Sequence, residues 1–416
     1  MSGERGRRVV VTGMAGLSPL GCEWKVVRDA LQAGASGVTR MAEWDGIEGL
    51  VTRLGAPVRD FQVPEAYPRK RIRTMGRDSL MATVATERAL AAAGLLGHPA
   101  LSDGRAGVAY GSTQGSPRGV EVYAHKFYAG RTTVGIRGSD YIRFMSHTCA
   151  ANIAQFFGVI GRIVPTCSAC TSGSQGIGYA YEAIRFGRQD VMLGGGAEEL
   201  HGIDAAIFDV LLAASTRNDQ PERTPRPFDV ERDGTVVAEG AATFVLEELG
   251  FARRRGAPIL AEVLGWATTC DGRHMTNPDP EGMERVMRLA LADAGVAAGE
   301  VGYVNAHGTA TEVGDIAESR ATHAVFGDRV PVSTLKGHMG HTLGACGALE
   351  AWLTLEMLRE GWVAPTRNLE HPDPRCAPLD HVQGGPRALR ADVAASNNFA
   401  FGGVNTSLVF RPWAEG

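Results

Sequence analysis

The sequence lacks any long apolar stretch. No run approaches the roughly 20 consecutive apolar residues that a membrane-spanning helix needs, and the run at residues 9–11 is too short for the apolar core of a secretory signal. We therefore expect no membrane partner and read residues 9–11 as a buried strand. No low-complexity tract or linker divides the chain.

Cysteines are few and the net charge is low. The seven cysteines among 416 residues are scattered and odd in number, which argues against a secreted disulfide framework and favours a reducing cytoplasm. The formal net charge is only −4, so nothing favours a nucleic-acid partner for the chain as a whole. With 44% hydrophobic and 21% charged residues, the chain can bury a large core, which we expect in two halves.

Short apolar runs alternate with amphipathic stretches of helical length. This alternation predicts an α/β architecture, and runs that are apolar on both faces predict a sheet covered on both sides. The predicted strands are residues 8–12, 106–110, 190–193, 242–246, 259–264, 302–305, 329–333 and 406–410. The predicted helices are residues 78–95, 174–186, 282–294, 315–326 and 343–358. We place an internal seam near residues 249–258, although no similarity between the halves is visible in the sequence.

One cysteine lies in a turn that leads into a helical pattern. Cys170 belongs to Ser-Ala-Cys-Thr-Ser-Gly at residues 168–173, just before the predicted helix 174–186. A helix N-terminus lowers a thiol pKa, because the dipole and the free N–H groups favour the thiolate. The same N–H groups can bind the oxyanion of a thioester under attack. A small buried cysteine in a turn is the alternative for this residue taken alone.

Cys167 and Cys170 also form a CxxC pair. A zinc site would need two further ligands at matching spacing, and the other five cysteines are isolated. A redox CxxC belongs to a thioredoxin-sized unit, which is absent here. A papain-like protease is disfavoured because the segment lacks that motif's glycine and aromatic residue. We therefore expect no catalytic metal.

Two histidines lie in turns beside glycine. His307 follows the predicted strand 302–305, and His341 comes five residues after Lys336. Two imidazoles can each donate an N–H to one developing enolate oxygen without carrying charge. We expect Lys336 to orient His307. Glu318 is a candidate partner for Lys336, with a solvated helix charge as the alternative.

These segments, with Asn-Phe-Ala-Phe-Gly-Gly at residues 398–403, resemble the elongating β-ketoacyl-ACP synthases of the thiolase superfamily, closest to the synthase II type. The resemblance extends from residues 11–13 to Asn405 and includes residues 194–198, 215–219, 226–229, 231–234 and 274–276. It implies a thiolase-like five-layer αβαβα fold of two pseudo-duplicated halves. Residues 1–250 would carry the nucleophilic cysteine, and residues 251–416 the two histidines and a phenylalanine gate.

The resemblance also implies a reaction. Cys170 would accept an acyl chain from an acyl carrier protein, and malonyl-ACP would then decarboxylate with the help of His307 and His341 and extend the chain by two carbons. No cofactor is implied beyond the phosphopantetheine of the carrier protein. Thiolases share the fold but use a second cysteine in place of one histidine, which the present pair of histidines argues against.

Further roles follow from the same resemblance. The backbone N–H groups of Cys170 and Phe401 would form the oxyanion hole, and Phe401 would gate the cysteine. Substrate-binding positions would be Thr309, Thr311, Phe208, Gln114 and Thr276. A structural monovalent cation would be held by Asn305, Glu350, Ser396 and Asn397. Carrier-protein docking would use Arg69, Lys70, Arg71 and Arg73, for which a plain solvated face is the alternative.

Several residues depart from the family pattern. Ala400 replaces a glycine between the two phenylalanines, Gln114 is polar where an aliphatic wall is usual, and Thr235 stands where a phenylalanine is common. The segment 336–339 also differs from that of the housekeeping enzymes. These departures favour a specialised paralogue from an aryl-polyene or other polyketide pathway, acting as a homodimer or with a chain-length-factor-like paralogue. The remaining alternatives are a thiolase-like acyl-CoA enzyme and a non-catalytic chain-length factor, although the latter would lack the reactive cysteine.

Overall fold

The computed structural model describes residues 6–413. Eleven strands form its large sheet, and we number them in chain order: β1 (Val9–Leu17), β2 (Ala106–Gly111), β3 (Ile163–Thr166), β4 (Val191–Glu198), β5 (Gly240–Glu248), β6 (Ala261–Cys270), β7 (Tyr303–Asn305), β8 (Pro331–Ser333), β9 (Asp380–His381), β10 (Ala394–Ala400) and β11 (Val404–Pro412). Shorter strands lie at Thr39–Arg40, Leu54–Ala56, Val237–Ala238, Trp362–Val363 and Arg387–Ala388.

The α-helices are α1 (Trp24–Gln32), α2 (Arg69–Ile72), α3 (Arg77–Ala92), α4 (Pro117–Ala124), α5 (Gly138–Ile142), α6 (Thr148–Phe157), α7 (Ser172–Arg185), α8 (Gly202–Val210), α9 (Leu249–Arg254), α10 (Pro280–Ala294), α11 (Glu312–Phe326), α12 (Lys336–Met339) and α13 (Cys346–Arg359). Single helical turns of other types occupy Ala42–Trp44, Pro99–Leu101, His125–Ala129, Pro221–Arg223, Ala298–Glu300 and Leu343–Ala345. No helix within residues 6–413 is long and apolar enough to cross a membrane.

The strand order reveals an internal duplication. From one edge to the other the sheet runs β9-β8-β7-β10-β11-β6-β1-β5-β4-β2-β3. Starting from β1, the order β1-β5-β4-β2-β3 has two antiparallel pairings followed by two parallel ones. Starting from β6, the order β6-β11-β10-β7-β8 repeats that pattern. The chain therefore contains two copies of one topology, which meet where β1 pairs with β6 over three residues.

Helices cover both faces of each half-sheet. α7 and α13 pack against each other and contact strands of both halves, so they form the middle layer. α3 and α6 cover the outer face of the first half, and α10 with α11 covers the outer face of the second. The result is the five-layer αβαβα arrangement. Strands β1, β2, β4 and β5 are buried almost throughout, which explains their apolar residues on both faces.

The duplication brings the functional loops together. Cys170 lies between β3 and α7, and His341 lies between β8 and α13, which are equivalent positions in the two halves. His307 follows β7, and Phe401 lies in the turn between β10 and β11. In both halves these loops leave the carboxyl ends of β3, β7, β8 and β10, where ligand sites of α/β sheets form.

Candidate active site

The loop before α7 holds Cys170 in a strained turn. Ala169 has a φ of +49°, a conformation that residues other than glycine rarely adopt. The turn is closed by hydrogen bonds from Ser172 N to Ala169 O at 3.1 Å and from Thr166 Oγ1 to Ser172 O at 2.8 Å. Cys170 is buried two residues before the first residue of α7. The thiol is thus held at the helix N-terminus, as the sequence predicts.

His341 faces the thiol directly. Its Nε2 lies 3.0 Å from Cys170 Sγ. The backbone of His341 is clamped on both sides, because its N–H donates to Val236 O at 2.7 Å and its carbonyl accepts from Ala238 N at 2.9 Å. Gly340, with a φ of +73°, provides the sharp turn before it. The imidazole is therefore placed as a proton acceptor for Cys170.

Burial sets the protonation states of this pair. It raises the pKa of Cys170 to about 12, against smaller lowering effects of the Lys336 charge and of the residue's own backbone amide. The prediction that the helix N-terminus lowers the pKa of Cys170 is therefore wrong for this closed pocket. Burial also holds the pKa of His341 well below its usual range, with the Lys336 charge adding to the effect. Both groups are neutral at physiological pH.

His307 is held by a buried charged network. Its Nδ1 lies 3.2 Å from Lys336 Nζ and 3.4 Å from Asn398 Nδ2. Lys336 also forms a buried ion pair with Glu350, and Asn398 Nδ2 donates to Glu350 Oε2 at 2.7 Å. Because both neighbours of Nδ1 are donors, Nδ1 must accept, and the ring proton sits on Nε2. His307 therefore presents an N–H donor on its other side, while burial and Lys336 keep its pKa well below its usual range.

Glu318 has a different role from the predicted one. Its two oxygens accept the backbone N–H groups of His307 and Gly308, each at 2.7 Å, and burial raises its pKa to about 8. The hydrogen-bonded partner of Lys336 is Glu350 rather than Glu318. Glu318 therefore supports the backbone of the turn that carries His307.

The catalytic candidates face one cavity of about 340 Å³. Cys170, His307 and His341 line it, as do the predicted residues Thr309, Thr311, Phe208, Thr276, Phe401 and Glu318. The imidazole centroids of His307 and His341 are 5.2 Å apart with nearly perpendicular planes. The hydroxyl oxygens of Thr309 and Thr311 lie 2.9 Å apart. An acyl group, a thioester arm and both histidines can meet in this space.

Gln114 does not line this cavity, contrary to expectation. Its Nε2 donates to Asp204 Oδ1 at 2.7 Å, and Asp204 lies one turn before Phe208 on α8. The rings of Phe208 and Phe401, which do line the cavity, stack with centroids 5.4 Å apart.

Phe401 lies on a tight turn that the sequence predicts as a gate. Gly402 and Gly403 have φ values of +86° and +70°, so the turn depends on glycine at both positions. Gly402 N donates to Met275 O at 2.8 Å, and Asp271 N donates to Gly403 O at 2.9 Å. The turn is therefore fastened to the loop of residues 271–276, and Asp271 is a contributor that the sequence did not single out.

The remaining predicted sets lie apart from the cavity. All four of these residues, Asn305, Ser396, Asn397 and Glu350, are buried. Asn305 Nδ2 donates to Ser396 Oγ at 3.2 Å, and Asn305 Oδ1 has no hydrogen-bond partner among residues 6–413. The side chain of Asn397 instead contacts Met287 Sδ on α10. An unpaired amide oxygen near a carboxylate suits a hard cation, so Asn305, Glu350 and Ser396 fit the predicted monovalent ion, whereas the side chain of Asn397 does not face them. The ion would give the orphan amide oxygen of Asn305 a partner.

The basic cluster lies on the outer face of the first half. Arg69, Lys70 and Arg71 form α2, and Arg73 follows it; all four are exposed, and none lines the cavity. Arg71 donates to Phe156 O at 3.0 Å and lies over the ring of Phe156.

The ligand atoms of Cys170, His307 and His341 lie within 4.8 Å of one another, as in a metal site. A divalent ion there would have to displace the Nε2 proton of His307 and would lie near the Lys336 ammonium. The donor set therefore suits hydrogen bonding to an anion better than metal binding.

Comparison with known proteins identifies the family. The model described as "Beta-ketoacyl synthase, N-terminal domain" matches residues 6–252, and "Beta-ketoacyl synthase, C-terminal domain" matches residues 260–370. A 3-oxoacyl-(acyl-carrier-protein) synthase 2 of Coxiella burnetii is 38% identical over 97% of this chain and 98% of its own. The crystal structure of a β-ketoacyl synthase from Burkholderia phymatum has 54% identity and a TM-score of 0.96, covering 98% of this chain and 100% of that one.

A more distant neighbour is the ishigamide ketosynthase/chain length factor, with 31% identity and a TM-score of 0.90 over 98% of this chain and 100% of that one. These matches extend over both halves of the fold and both sets of catalytic loops. This chain belongs to the β-ketoacyl synthase family.

Proposed function

We propose that this protein condenses a Cys170-bound acyl chain with malonyl carried on an acyl carrier protein. The observation that carries the proposal is the 3.0 Å approach of His341 Nε2 to Cys170 Sγ, in a cavity where Lys336 and Asn398 keep the Nε2 proton on His307. The family, with relatives named for an acyl carrier protein, supports the choice of carrier. The reaction draws on no cofactor of the protein's own.

In the loading step, Cys170 Sγ attacks the thioester carbon of acyl-ACP. His341 Nε2 accepts the thiol proton and passes it to the departing carrier thiol, so that one C–S bond forms and another breaks. Backbone N–H groups of Cys170 and Phe401 stabilise the oxyanion. The high thiol pKa means that proton transfer accompanies attack rather than preceding it.

In the condensation step, malonyl-ACP loses CO₂ and its electron pair moves to the thioester oxygen. His307 donates its Nε2 proton to that enolate oxygen, and His341, whose Nε2 faces no thiol proton once Cys170 is acylated, donates to it after its one ring proton has exchanged with solvent from Nδ1 to Nε2. The carbanion then attacks the acyl carbonyl, a C–C bond forms and the C–S bond to Cys170 breaks. The negative charge of the malonyl carboxylate ends on Cys170 Sγ, and the thiolate takes up one proton from water. Lys336 stabilises the departing thiolate through its charge.

We further propose that the enzyme is cytoplasmic, serves an aryl-polyene or other polyketide pathway, and works as a dimer with a second copy or a chain-length-factor-like paralogue. The departures at Gln114 and Ala400 support a specialised substrate. A solved relative described as a ketosynthase/chain length factor supports the pairing. The reactive cysteine favours a catalytic chain over a non-catalytic factor.

Mass spectrometry tests the proposal. After incubation with acyl-ACP, the wild type and Cys167→Ala should gain the acyl mass and Cys170→Ala should not. Adding malonyl-ACP should then release CO₂ and yield β-ketoacyl-ACP. Acyl mass on Cys167, or efficient loading from acyl-CoA but not from acyl-ACP, would overturn the proposal in favour of a different nucleophile or a thiolase-like enzyme.

A further inference from the structure

One buried carboxyl group joins the two catalytic loops. Glu198 is the last residue of β4 and is fully buried. Its Oε2 accepts the backbone N–H groups of Thr113 and Gly344, each at 2.9 Å. Thr113 lies two residues after β2, and Gly344 lies three residues after His341. A single oxygen therefore holds two segments that are 231 residues apart in the chain.

Thr113 extends this connection to the loop of the nucleophile. Its Oγ1 accepts Gly344 N at 3.1 Å, so this N–H is shared between the threonine and Glu198. Its carbonyl accepts the thiol of Cys167 at 2.9 Å, and Cys167 lies three residues before Cys170. Both catalytic loops are thus bonded to the short segment that Glu198 holds.

The turn after His341 is strained and tightly packed. Leu343 has a φ of +45°, a left-handed conformation that residues other than glycine rarely adopt. Gly344 lies so close to its neighbours that an added Cβ would be 2.6 Å from Thr113 N and 2.7 Å from Glu198 Oε2. Strained residues of this kind persist only where the surrounding structure holds them. The bond from Gly344 N to Glu198 supplies that support.

A second set of bonds fixes His341 but does not reach Cys170. Val236 and Ala238 clamp the backbone of His341 to a short strand that lies outside the large sheet. The 3.0 Å approach of His341 Nε2 to Cys170 Sγ also requires that the two loops keep a constant separation. The bonds through Glu198 provide this link.

Glu198 acts on the backbone rather than on the substrate. It does not line the cavity, and its Oε1 has no hydrogen-bond partner among residues 6–413. Burial raises its pKa to about 8, so the carboxyl group is mostly protonated at pH 7. A carbonyl oxygen has two lone pairs, enough for two N–H donors without a charge. A neutral amide can therefore take the place of this carboxyl group.

We propose that Glu198 is a positioning residue that sets the approach of His341 to Cys170 through the backbone of both loops. This inference rests on the proposed function, because it assigns Glu198 to the acyl-loading step. Reacting groups must be held closely, and a displacement of about 1 Å can cost about 10²-fold in rate. Loss of the acceptor should therefore slow loading without changing how acyl-ACP binds.

Loading of Cys170 from acyl-ACP at pH 7, followed by intact-protein mass spectrometry, tests this role. Glu198→Leu lacks the acceptor and should lower the maximal loading rate about 10- to 100-fold, while the apparent KM for acyl-ACP stays within about twofold. Glu198→Gln keeps an oxygen for both N–H groups and should load within about threefold of the wild type. Thr113→Val removes only the shared acceptor and should lower the maximal rate at least about threefold. It takes the place of Glu198→Leu should that variant not fold.

Glu248→Leu is the matched control. Glu248 also accepts two backbone N–H groups, from Gly250 at 2.7 Å and Phe251 at 2.6 Å, but it caps α9 and does not line the cavity. Its replacement should lower the melting temperature and leave loading at the wild-type rate.

Three results would overturn the positioning role while leaving the proposed function intact. They are wild-type loading by Glu198→Leu and by Thr113→Val, an equal loss of loading in Glu248→Leu, and a Glu198→Gln variant as slow as Glu198→Leu. Failure of the wild type to load from any acyl-ACP would instead overturn the proposed function, and the role of Glu198 with it.

Discussion

At the scale of single residues, Lys336 determines the protonation of His307. Its Nζ contacts His307 Nδ1 and pairs with Glu350, with all three groups buried. A positive donor at Nδ1 forbids the imidazolium and leaves the proton on Nε2. The lysine is therefore a positioning residue that acts through the histidine.

Replacing Lys336 by methionine should lower malonyl decarboxylation by about 10²–10³, the usual cost of losing one oxyanion donor. Because Lys336→Met leaves Glu350 buried and unpaired, which can cost about 3–5 kcal/mol, the informative variant is Lys336→Met with Glu350→Gln. Acyl loading and decarboxylation are measured separately. Wild-type decarboxylation in a folded double variant would contradict the role given to the lysine.

The thiol of Cys170 should be mostly protonated at neutral pH, because burial raises its pKa to about 12. A thiol reacts as its thiolate, and below the pKa the thiolate fraction rises tenfold with each pH unit. Alkylation of Cys170 by iodoacetamide should therefore keep rising from pH 7 to pH 10. Mass spectrometry follows it, with Cys170→Ala giving the background from the exposed Cys167 and Cys270. A plateau near pH 8 would show that the helix N-terminus outweighs burial.

At the scale of elements, the β10–β11 turn holds the gate. Ala400 is the last residue of β10 and pairs with Val404, and its φ is not positive in this state. The left-handed positions of the turn are instead Gly402 and Gly403, and glycine adopts this conformation without a steric penalty. Ala400 therefore introduces no backbone strain in the closed state. It can hinder only a movement that requires a left-handed conformation at this position.

Ala400→Gly should change the rate of Cys170 acylation or the range of chain lengths that load, because glycine reaches φ > 0 without a steric penalty. The assay compares wild type and variant across a series of acyl-ACPs. Superimposable rates and chain-length profiles would show that Ala400 is a tolerated substitution.

At the scale of the whole molecule, the sheet has an open edge at β3. Ile163 in β3 is 44% exposed and Ile160 beside it 67%, and β3 pairs only with β2 among the described residues. Exposed edge strands with apolar side chains pair with another chain or aggregate. If the protein pairs as proposed above, with a second copy or a chain-length-factor-like paralogue, we expect that chain to dock here.

Ile163→Asp should shift the protein toward monomer, because it places a charge at the centre of the apolar edge. Light scattering coupled to size-exclusion chromatography measures the mass. Leu96→Asp is the control, since Leu96 is similarly exposed, at 49%, in a loop away from β3. An unchanged mass for Ile163→Asp would place the interface elsewhere.

The exposed cluster of Arg69, Lys70, Arg71 and Arg73 should bind an acidic carrier protein. Charge reversal by glutamate should raise the apparent KM for acyl-ACP, with a steep dependence on salt, because docking through exposed charges is screened. Lys25→Glu, another exposed lysine, is the control. Unchanged kinetics would leave the cluster a solvated face.

The α/β class follows from the sequence, and most predicted elements lie within a few residues of the observed ones. The prediction missed several elements, including α1, α6, α8, β3 and β10. Two of these, α8 and β10, were missed for clear physical reasons. The helix α8 exposes Ile203, Ile207 and Val210, so its apolar residues do not mark one buried face. The strand β10 is buried but contains Ser396, Asn397 and Asn398, so it lacks the apolar pattern of a core strand. Its polar residues serve the site.

The sequence alone determined the candidate reacting groups of the proposed function, because Cys170, His307, His341 and Lys336 each lie in a short segment whose residues create the local turn. The tertiary structure decided what surrounds them. Glu350 rather than Glu318 pairs with Lys336, Gln114 bonds to Asp204 instead of lining the cavity, and burial outweighs the helix N-terminus at Cys170. The duplicated topology was implied only by the family resemblance, because no similarity between the two halves is visible in the sequence. Each of these depends on packing between segments far apart in the chain, and desolvation is a property of the assembled core rather than of any local pattern.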